Sequence, residues 1–232
     1  MKTFCIYGDG GEDIENEFLE LGYEVDRDKP DFVISYGGDG TLLRSEFAYQ
    51  GVPKLFIKNT KIGKLAQNKD NQFVISEFVK GNYLIKEYNK IECNINNSVM
   101  ILGSMEITLH NKDPRSAVRY NVYIDGEGLH HELIGDGVIV CNTLGSTGYY
   151  RSITDSYFEV GIGLAFNNST EQADHVVLAN DRKIEIEITR GPGIVFADNQ
   201  EIITDVEEGD RLYIKESKEI MKLIRVNNES PI

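Results

Sequence analysis

The chain has 232 residues, of which 41% are hydrophobic, and a formal net charge of −14 at pH 7. This length and composition fit a globular protein of one or two domains, and the acidic balance argues against nucleic acid or an anionic membrane as the main partner. The three cysteines are scattered without a C-x-x-C pair, and no stretch reaches the roughly 20 apolar residues of a membrane span. With too short an apolar run for a signal peptide at the N-terminus, we expect a cytoplasmic protein.

The first 90 residues alternate strand-like and helix-like segments. Hydrophobic periodicity predicts strands at 3–7, 32–36 and 54–57 and helices at 12–21, 41–50 and 73–79. Strands that alternate with helices imply a parallel sheet with helices on its faces. We therefore predict an α/β domain over residues 1–90.

The most informative segment of this domain is the loop at residues 37–41 (GGDGT), which follows an apolar strand and precedes a helical pattern. Glycines allow the backbone to approach a ligand closely, and the N–H groups that open a helix point at an anion. A carboxylate in such a loop, here Asp39, repels phosphate unless it holds a metal or takes a proton from a hydroxyl group. The loop favours phosphoryl transfer with Asp39 at the reacting end, although Asp-Gly pairs also form ordinary tight turns.

An acidic chain that binds nucleotide phosphates needs positive charge nearby. Mg²⁺ and helix N-termini are two sources. The lysines at positions 54, 58, 61 and 64 are a third, although such a cluster also fits a solvated basic face.

From about residue 91 the pattern changes to period two. Strands are predicted at 104–109, 118–124, 138–141, 176–178, 183–189, 193–196, 211–214 and 221–226. Asp125-Gly126 is a plausible hairpin turn, and His130-His131-Glu132 is interpreted as a surface turn or strand end. We predict a β-rich domain over residues 91–232, whose last segment can pack back on the first domain.

This second half has its own glycine-rich signal. Residues 135–137 (GDG) lead into the apolar strand at 138–141, and residues 145–148 (GSTG) then precede Tyr149 and Ser152. Such a turn can offer N–H and hydroxyl donors to a ribose or phosphate, and an aromatic ring can cover a base. The turn is a weak signal alone and a strong one together with the loop at 37–41.

These motifs together resemble the NAD kinase family. The family carries a GGDGT loop in an N-terminal α/β domain and, in a β domain, a GDG followed by an apolar strand and a turn of the form T-P-(S/T)-G-S-T-A-Y. Weaker likenesses at 57–63 (IKNTKIG), 121–126 (NVYIDG) and 196–200 (FADNQ) extend the match over nearly the whole chain. The resemblance implies the family's fold, an α/β domain with a parallel sheet followed by a β-rich domain.

The resemblance also implies an activity: transfer of a phosphoryl group from ATP, or from polyphosphate, to the 2′-hydroxyl of the adenosine ribose of NAD. Mg²⁺ is the implied cofactor. The implied assembly is a homodimer or homotetramer, with a site between the domains that a neighbouring subunit completes. NAD versus NADH as acceptor stays open.

The resemblance also implies roles for individual residues at the matching positions. Asp39 would activate the 2′-hydroxyl or hold it beside Mg²⁺, and no metal ligand is otherwise assigned. Asp136 would contact the nicotinamide side across the subunit interface, and Asn111 the adenine or ribose region. The remaining binding positions are the phosphate-loop set Gly38, Gly40, Thr41 and Arg44, and the base-framing set Thr147, Gly148, Tyr149 and Ser152.

Several positions depart from the family pattern. The family's Asn-Glu pair corresponds here to residues 110–112 (HNK), so its carboxylate is missing. Residues 166–169 (FNNS) replace a proline-rich segment. Two alternatives therefore stay open: a lipid kinase of the diacylglycerol type, which shares the GGDGT loop, and a dinucleotide-binding sensor that has lost transfer.

Overall fold

The computed structural model describes residues 2–60, 63–67, 69–171 and 173–226. The described residues form two compact units, one from the ranges up to Tyr88 together with 220–226, and the other from the ranges between Asn89 and Glu219. The division into domains at residues 1–90 and 91–232 stays a prediction. Among the described residues, no helix is long and apolar enough to cross a bilayer.

The first unit alternates strands and helices. Its elements in chain order are β1 (Thr3–Tyr7), α1 (Glu12–Glu20), β2 (Glu24–Val25), β3 (Phe32–Gly37), α2 (Asp39–Ala48), β4 (Lys54–Lys58) and α3 (Asn71–Val79). The strands pair in the order β2-β1-β3-β4, all parallel. On its far side β4 pairs in parallel with Leu223 and Ile224, which lie near the C-terminal end of the last strand. The predicted parallel sheet is thereby confirmed.

The core of this unit is an aromatic cluster between the sheet and its helices. Phe4 and Phe32 contribute from the strands, and Phe18 and Phe78 from α1 and α3. The ring centroids of Phe32 and Phe78 lie 4.8 Å apart, and those of Phe4 and Phe18 lie 5.3 Å apart. Each fully buried side chain of this size stabilises the fold by about 1.5–3 kcal/mol, so the cluster holds α1 and α3 on the sheet.

The second unit is built almost entirely from strands. In chain order the rest of the chain forms β5 (Tyr83–Ile95), β6 (Val99–Gly103), β7 (Glu106–Asn111), β8 (Val118–Ile124), β9 (Glu127–Gly135), β10 (Gly137–Cys141), a 3-10 turn (Gly145–Thr147), α4 (Tyr149–Thr154), β11 (Ile162–Asn167), β12 (His175–Leu178), β13 (Ile184–Arg190), β14 (Gly193–Ala197), β15 (Ile203–Val206) and β16 (Arg211–Val226). Strands β5 and β16 begin in one unit and end in the other. The β-rich second half of the predicted fold class is confirmed.

Two antiparallel sheets make up this unit. One contains β9-β8-β13-β16 with β5 and β6, and the other has the order β12-β11-β10-β7-β14-β15. The largest buried cluster draws side chains from both sheets, among them Tyr120 of β8, Val138 of β10 and Ile186 of β13. The period-two pattern of the sequence arises because one face of each strand points into this shared core.

Most predicted elements fall within two residues of the observed ones, and three differences have physical causes. The predicted strands at 211–214 and 221–226 are one long strand, β16, which continues through the polar residues between them. His130-His131-Glu132 lies inside β9 and not at a turn. The strand contains a bulge here, with Glu132 at φ 52°. Because β9 is an edge strand, a bulge with polar side chains is tolerated at this place. Strand β5 was not predicted because its exposed charged residues mask the alternation. The other elements that were not predicted are β2, β6, β9, β11, β15 and α4.

Candidate functional site

The glycine loop lies where β3 ends and α2 begins. Gly38 is extended, at φ −104° and ψ −174°, and its carbonyl accepts the first helical N–H groups from Thr41 and Leu42 at 3.0 and 3.1 Å. At position 37 only glycine fits, because a Cβ there would lie 2.3 Å from Thr41 Oγ1. The loop therefore presents the first turn of a ten-residue helix at the carboxyl end of a parallel strand, a geometry that suits a phosphate group.

Asp39 is the first residue of α2, and its carboxylate joins the loop to a neighbouring segment. The two carboxylate oxygens accept the backbone N–H groups of Lys64 and Leu65 at 2.8 and 3.0 Å. An ionised carboxylate has about four lone-pair sites, so two accepted bonds leave it able to accept a proton or a further hydrogen bond. Arg44 lies exposed one helical turn further along α2.

The lysines of the predicted basic cluster lie in different environments. Lys54 is fully buried and forms an ion pair with Glu46 inside the unit, and its ammonium also donates to the carbonyl of Val52 at 2.7 Å. It is therefore a core residue and not a phosphate ligand. Lys58 is partly buried and Lys64 is exposed, whereas Lys61 lies outside the described residues.

In the second unit, Asp136 and Asn111 meet at one end of β7 and β10. The Asp136 carboxylate accepts from the side-chain amides of Asn111 at 3.3 Å and Asn168 at 3.1 Å. The Asn111 backbone N–H donates to the Asp136 carbonyl at 2.8 Å. Gly137 makes this approach possible, because it has φ +138° and a Cβ there would lie 2.0 Å from the Leu109 carbonyl oxygen. The Asn111 Oδ1 atom is buried without a hydrogen-bond partner.

The other end of β10 leads into the turn that contains Thr147 and Gly148. Asn142 holds this turn: its side-chain oxygen accepts from Gly145 N–H at 3.0 Å, and its amide donates to the Ser104 and Asn89 carbonyls, both at 2.8 Å. The Thr147 hydroxyl donates to the Leu144 carbonyl within the turn. Its part in binding a ligand stays a prediction.

Tyr149 is the first residue of α4, and its contacts connect the two ends of β10 described above. Its hydroxyl accepts from the side-chain amide of Asn167 at 3.1 Å, and Asn167 precedes the residue that bonds Asp136. The ring packs against the buried cluster that contains Ile139, so Tyr149 also has a structural role. Ser152 is exposed and donates to the Tyr149 carbonyl at 2.7 Å.

Sequence reasoning missed Glu106, which brings a carboxyl group to the same turn. An ideal Cβ on Gly148 would lie 3.9 Å from Glu106 Oε2, and the carboxyl group also interacts with the Tyr149 backbone N–H. The sequence analysis placed the family's Asn-Glu pair at residues 110–112, where its carboxylate is missing. In the sheet His110 pairs with Gly137, whereas Glu106 pairs with Cys141, immediately before the turn. The antiparallel register of β7 and β10 therefore places Glu106 at the turn.

The side-chain amides of Asn167 and Asn168 were also missed as candidates. They stand at the end of β11, where Gly137 pairs with Asn167. Two consecutive asparagines after an apolar strand were the available signal in the sequence. Together the described contacts join Asn111, Asp136, Tyr149 and Glu106 into one polar region along the central strands of the second sheet.

The electrostatics of this region are dominated by enclosed carboxyl groups. Burial, and secondarily the nearby Asp198, raise the pKa of Glu106 from 4.5 to about 8. Burial also raises the pKa of the Tyr149 hydroxyl. A hydrogen-bond donor at neutral pH is therefore available beside Gly148, where an ordinary glutamate would offer only acceptors.

The donor set does not form a dedicated metal cage. Over the described ranges, no three His, Cys, Asp or Glu side chains lie together as a metal site requires. Mg²⁺ usually binds through substrate phosphates, waters and one or two carboxylates. A single carboxylate such as that of Asp39 can supply one ligand of such an ion.

Comparisons with known proteins agree on one family. The model for the ATP-NAD kinase C-terminal domain matches residues 105–226. The NAD kinase of Pyrococcus abyssi is 28% identical over 207 residues, which cover 86% of this chain and 74% of that protein. The NAD kinase of Caldicellulosiruptor saccharolyticus is 26% identical, with 94% and 86% covered.

Two solved structures share the fold. An NAD kinase from Archaeoglobus fulgidus in complex with ATP superimposes with a TM-score of 0.81 at 23% identity, over 98% of this chain and 94% of that one. The yeast NADH kinase complexed with NADH gives a TM-score of 0.81 at 18% identity, over 97% and 83%.

Proposed function

The chain belongs to the ATP-NAD kinase family, and we propose that it transfers the terminal phosphoryl group of ATP to the 2′-hydroxyl of the adenosine ribose of NAD. The 2′-oxygen attacks the γ-phosphorus, the bond from that phosphorus to the bridging oxygen breaks, and ADP leaves. The proton of the hydroxyl passes to a base. The products are NADP and ADP.

The observation that carries this proposal is the polar region around Tyr149 in the second unit. The carboxyl groups of Glu106 and Asp136, the side-chain amide of Asn167 and the Tyr149 hydroxyl lie within one connected set of contacts. Ribose hydroxyls and amides need such donors and acceptors, whereas a diacylglycerol would need an apolar groove. The region supports a dinucleotide as the acceptor.

Asp39 is the residue we propose as general base. Its carboxylate is oriented by the N–H groups of Lys64 and Leu65 and retains free lone pairs. A base held by backbone donors keeps its position while it takes the proton, which removes part of the entropic cost of the step. Gly38, Gly40 and Thr41 are proposed to hold the phosphates with the first turn of α2, and Arg44 to screen their charge.

The base-framing role of the turn remains part of the proposal. We propose that Thr147, Gly148 and Ser152 border the bases and that Tyr149 covers one of them, while Asn111 and Asp136 bind the ribose and nicotinamide side. The argument for a non-catalytic sensor was a missing carboxylate. Glu106 provides a carboxyl group at the turn and removes that argument.

A transfer assay with γ-labelled ATP and three acceptors tests the proposal. We expect label in NADP when NAD is supplied with Mg²⁺, and we use NADH and diacylglycerol as competing acceptors. Label in diacylglycerol alone would establish the lipid kinase, and NAD binding without transfer would establish the sensor. Replacement of ATP by polyphosphate in the same assay identifies the donor.

The assembly is a separate proposal. We propose a homodimer or homotetramer in solution, with Asp136 near the subunit interface. Sedimentation equilibrium measures the mass directly against the 26.2 kDa of one chain. A monomer at the concentrations used in the transfer assay would contradict it.

A further inference from the structure

The segment at residues 63–67, in the first unit, is bonded on two sides. On one side the backbone N–H groups of Lys64 and Leu65 donate to the Asp39 carboxylate, at 2.8 and 3.0 Å. On the other side the Leu65 carbonyl accepts from the Arg225 guanidinium at 2.9 Å. Both backbone polar groups of Leu65 are therefore in use, one toward the glycine loop and one toward the last strand, β16.

Gln67 makes a second attachment to β16. Its side-chain amide donates to the Val226 carbonyl at 3.3 Å, and its side-chain oxygen accepts from the Val226 N–H at 3.1 Å. Gln67 is 7% exposed and Val226 is 2% exposed, so water cannot easily replace these bonds. The segment is therefore fixed to the C-terminal end of β16 at two places, Leu65 and Gln67.

The order of the strands explains how one segment reaches both sides. Strand β4 lies between β3 and β16 and is parallel to each of them. Since parallel strands run in the same direction, their carboxyl ends lie at the same edge of the sheet. Strand β4 ends at Lys58, and the Asn59 N–H donates to the Gly37 carbonyl at 3.2 Å. From this edge the segment at 63–67 connects the start of α2 with the end of β16.

The two N–H groups decide the orientation of the Asp39 carboxylate. The terminal torsion of an aspartate side chain is only loosely restrained by itself. Here each carboxylate oxygen accepts one N–H group, and the two donors, Lys64 and Leu65, are consecutive in the chain. The plane of the carboxylate therefore follows the position of the segment, and a misplacement of about 1 Å at a reacting group can cost on the order of 10² in rate.

We propose that Arg225 and Gln67 are positioning residues for Asp39. They hold the segment at 63–67 against the end of β16, and the segment holds the carboxylate in the orientation in which it takes the proton of the 2′-hydroxyl. This inference rests on the proposed function, since it takes Asp39 as the general base. Neither positioning residue needs to contact a substrate, so the loss of either should lower kcat and leave KM almost unchanged.

Steady-state kinetics with NAD and ATP test this split. Arg225→Met keeps the length of the side chain and removes its donors, and it should lower kcat about 10- to 100-fold per folded molecule, with KM for both substrates within about threefold of wild type. Gln67→Met should act in the same direction. Arg225→Lys restores a donor for the Leu65 carbonyl and should recover kcat to within about fivefold of wild type. Arg27→Met, at an arginine whose side chain is 70% exposed, is the matched control and should behave as wild type.

A double variant separates positioning from direct contact. If Arg225 acts through Asp39, its loss matters little once the base is gone, so Arg225→Met should lower the residual transfer of Asp39→Asn by less than about twofold. A direct contact between Arg225 and a substrate would lower the rate by the same factor in both backgrounds. That outcome, or a kcat of Arg225→Met equal to that of wild type, would overturn the inference.

Amide hydrogen exchange, followed by NMR, does not depend on turnover. In Arg225→Met the amide protons of Lys64 and Leu65 should exchange at least about tenfold faster than in wild type, because the segment opens locally more often. The Asn59 amide, which donates to the Gly37 carbonyl, should keep its rate. Unchanged exchange at Lys64 and Leu65 would overturn the inference. If the wild type transferred phosphate to no acceptor, the proposed function would fail, while the exchange rates would still decide whether Arg225 holds the segment on Asp39.

Discussion

The most direct test of the proposed chemistry is Asp39→Asn. The substitution keeps the size of the side chain and removes its ability to take a proton. Loss of a general base costs on the order of 10²–10⁴ in rate, which corresponds to roughly 2.7–5.5 kcal/mol in the activation barrier. We expect kcat for NADP formation to fall by that factor.

The structure adds a second, separable effect. Both Asp39 oxygens accept backbone N–H groups, from Lys64 and Leu65. In the variant one oxygen becomes an NH₂ that faces a donor, and a backbone N–H left without an acceptor costs about 1–3 kcal/mol. Stability should therefore fall modestly, and activity must be expressed per folded molecule from a urea denaturation curve measured beside the assay.

Asp70→Asn is the matched control. Asp70 caps α3 and accepts the Gln72 backbone N–H at 3.0 Å, so it repeats the loss of a carboxylate acceptor at a helix start away from the glycine loop. Asp70→Asn should lose about 1 kcal/mol of stability, as is typical for a helix cap. Its kcat should stay within about twofold of wild type, because Asp70 lies away from the glycine loop. If Asp39→Asn also turned over within a few-fold of wild type, Asp39 would be only a tether between two segments, and the mechanism would be wrong.

Four further outcomes are expected. Activity should vanish in EDTA and return with Mg²⁺ or Mn²⁺, since an acidic chain with a carboxylate beside the phosphates needs a divalent ion to offset the repulsion; full turnover in excess chelator contradicts this. Tyr149→Ala should weaken NAD binding by roughly 5- to 150-fold in calorimetry, the equivalent of about 1–3 kcal/mol of stacking, whereas Tyr149→Phe should keep most of the affinity. Lys54→Met should lower the free energy of unfolding in urea by about 3–5 kcal/mol, because it removes the buried ammonium group that compensates the Glu46 carboxylate; a loss below about 1 kcal/mol contradicts it. Glu106 keeps its proton in the native state up to about pH 8, whereas an ordinary glutamate loses it near pH 4.5. The free energy of unfolding should therefore fall as the pH rises through that window, by up to about 5 kcal/mol, and Glu106→Gln should flatten that part of the pH–stability curve.

Local sequence was sufficient for the first unit and its glycine loop. The strand, the glycines, Asp39 and the helix at 32–48 are contiguous, so the chemistry of the loop follows from neighbours in the chain. The backbone constraints act within a few residues: the Gly38 carbonyl accepts from Thr41 and Leu42. Such features are visible in a single sequence because no distant contact is needed to form them.

The sequence also determined the change from βα alternation to period-two strands, and hence the two halves of the fold. It could not determine which residues face each other across the second sheet. Glu106 and Cys141 become partners only through the antiparallel register of β7 and β10, and a shift of that register by one residue would turn every side chain to the opposite face.

Tertiary structure alone decided the protonation and environment of the charged residues. Lys54 looks like any surface lysine in the sequence and is buried against Glu46, whereas Glu106 looks like an ordinary strand residue and carries a carboxyl oxygen closed off from solvent. Asp198 is 92 residues away in the chain from Glu106, and its carboxylate accepts the Glu106 N–H. Residue type sets the ordinary pKa, but burial and the neighbouring charge that shift it depend on contacts between distant parts of the chain, which only the folded structure brings together.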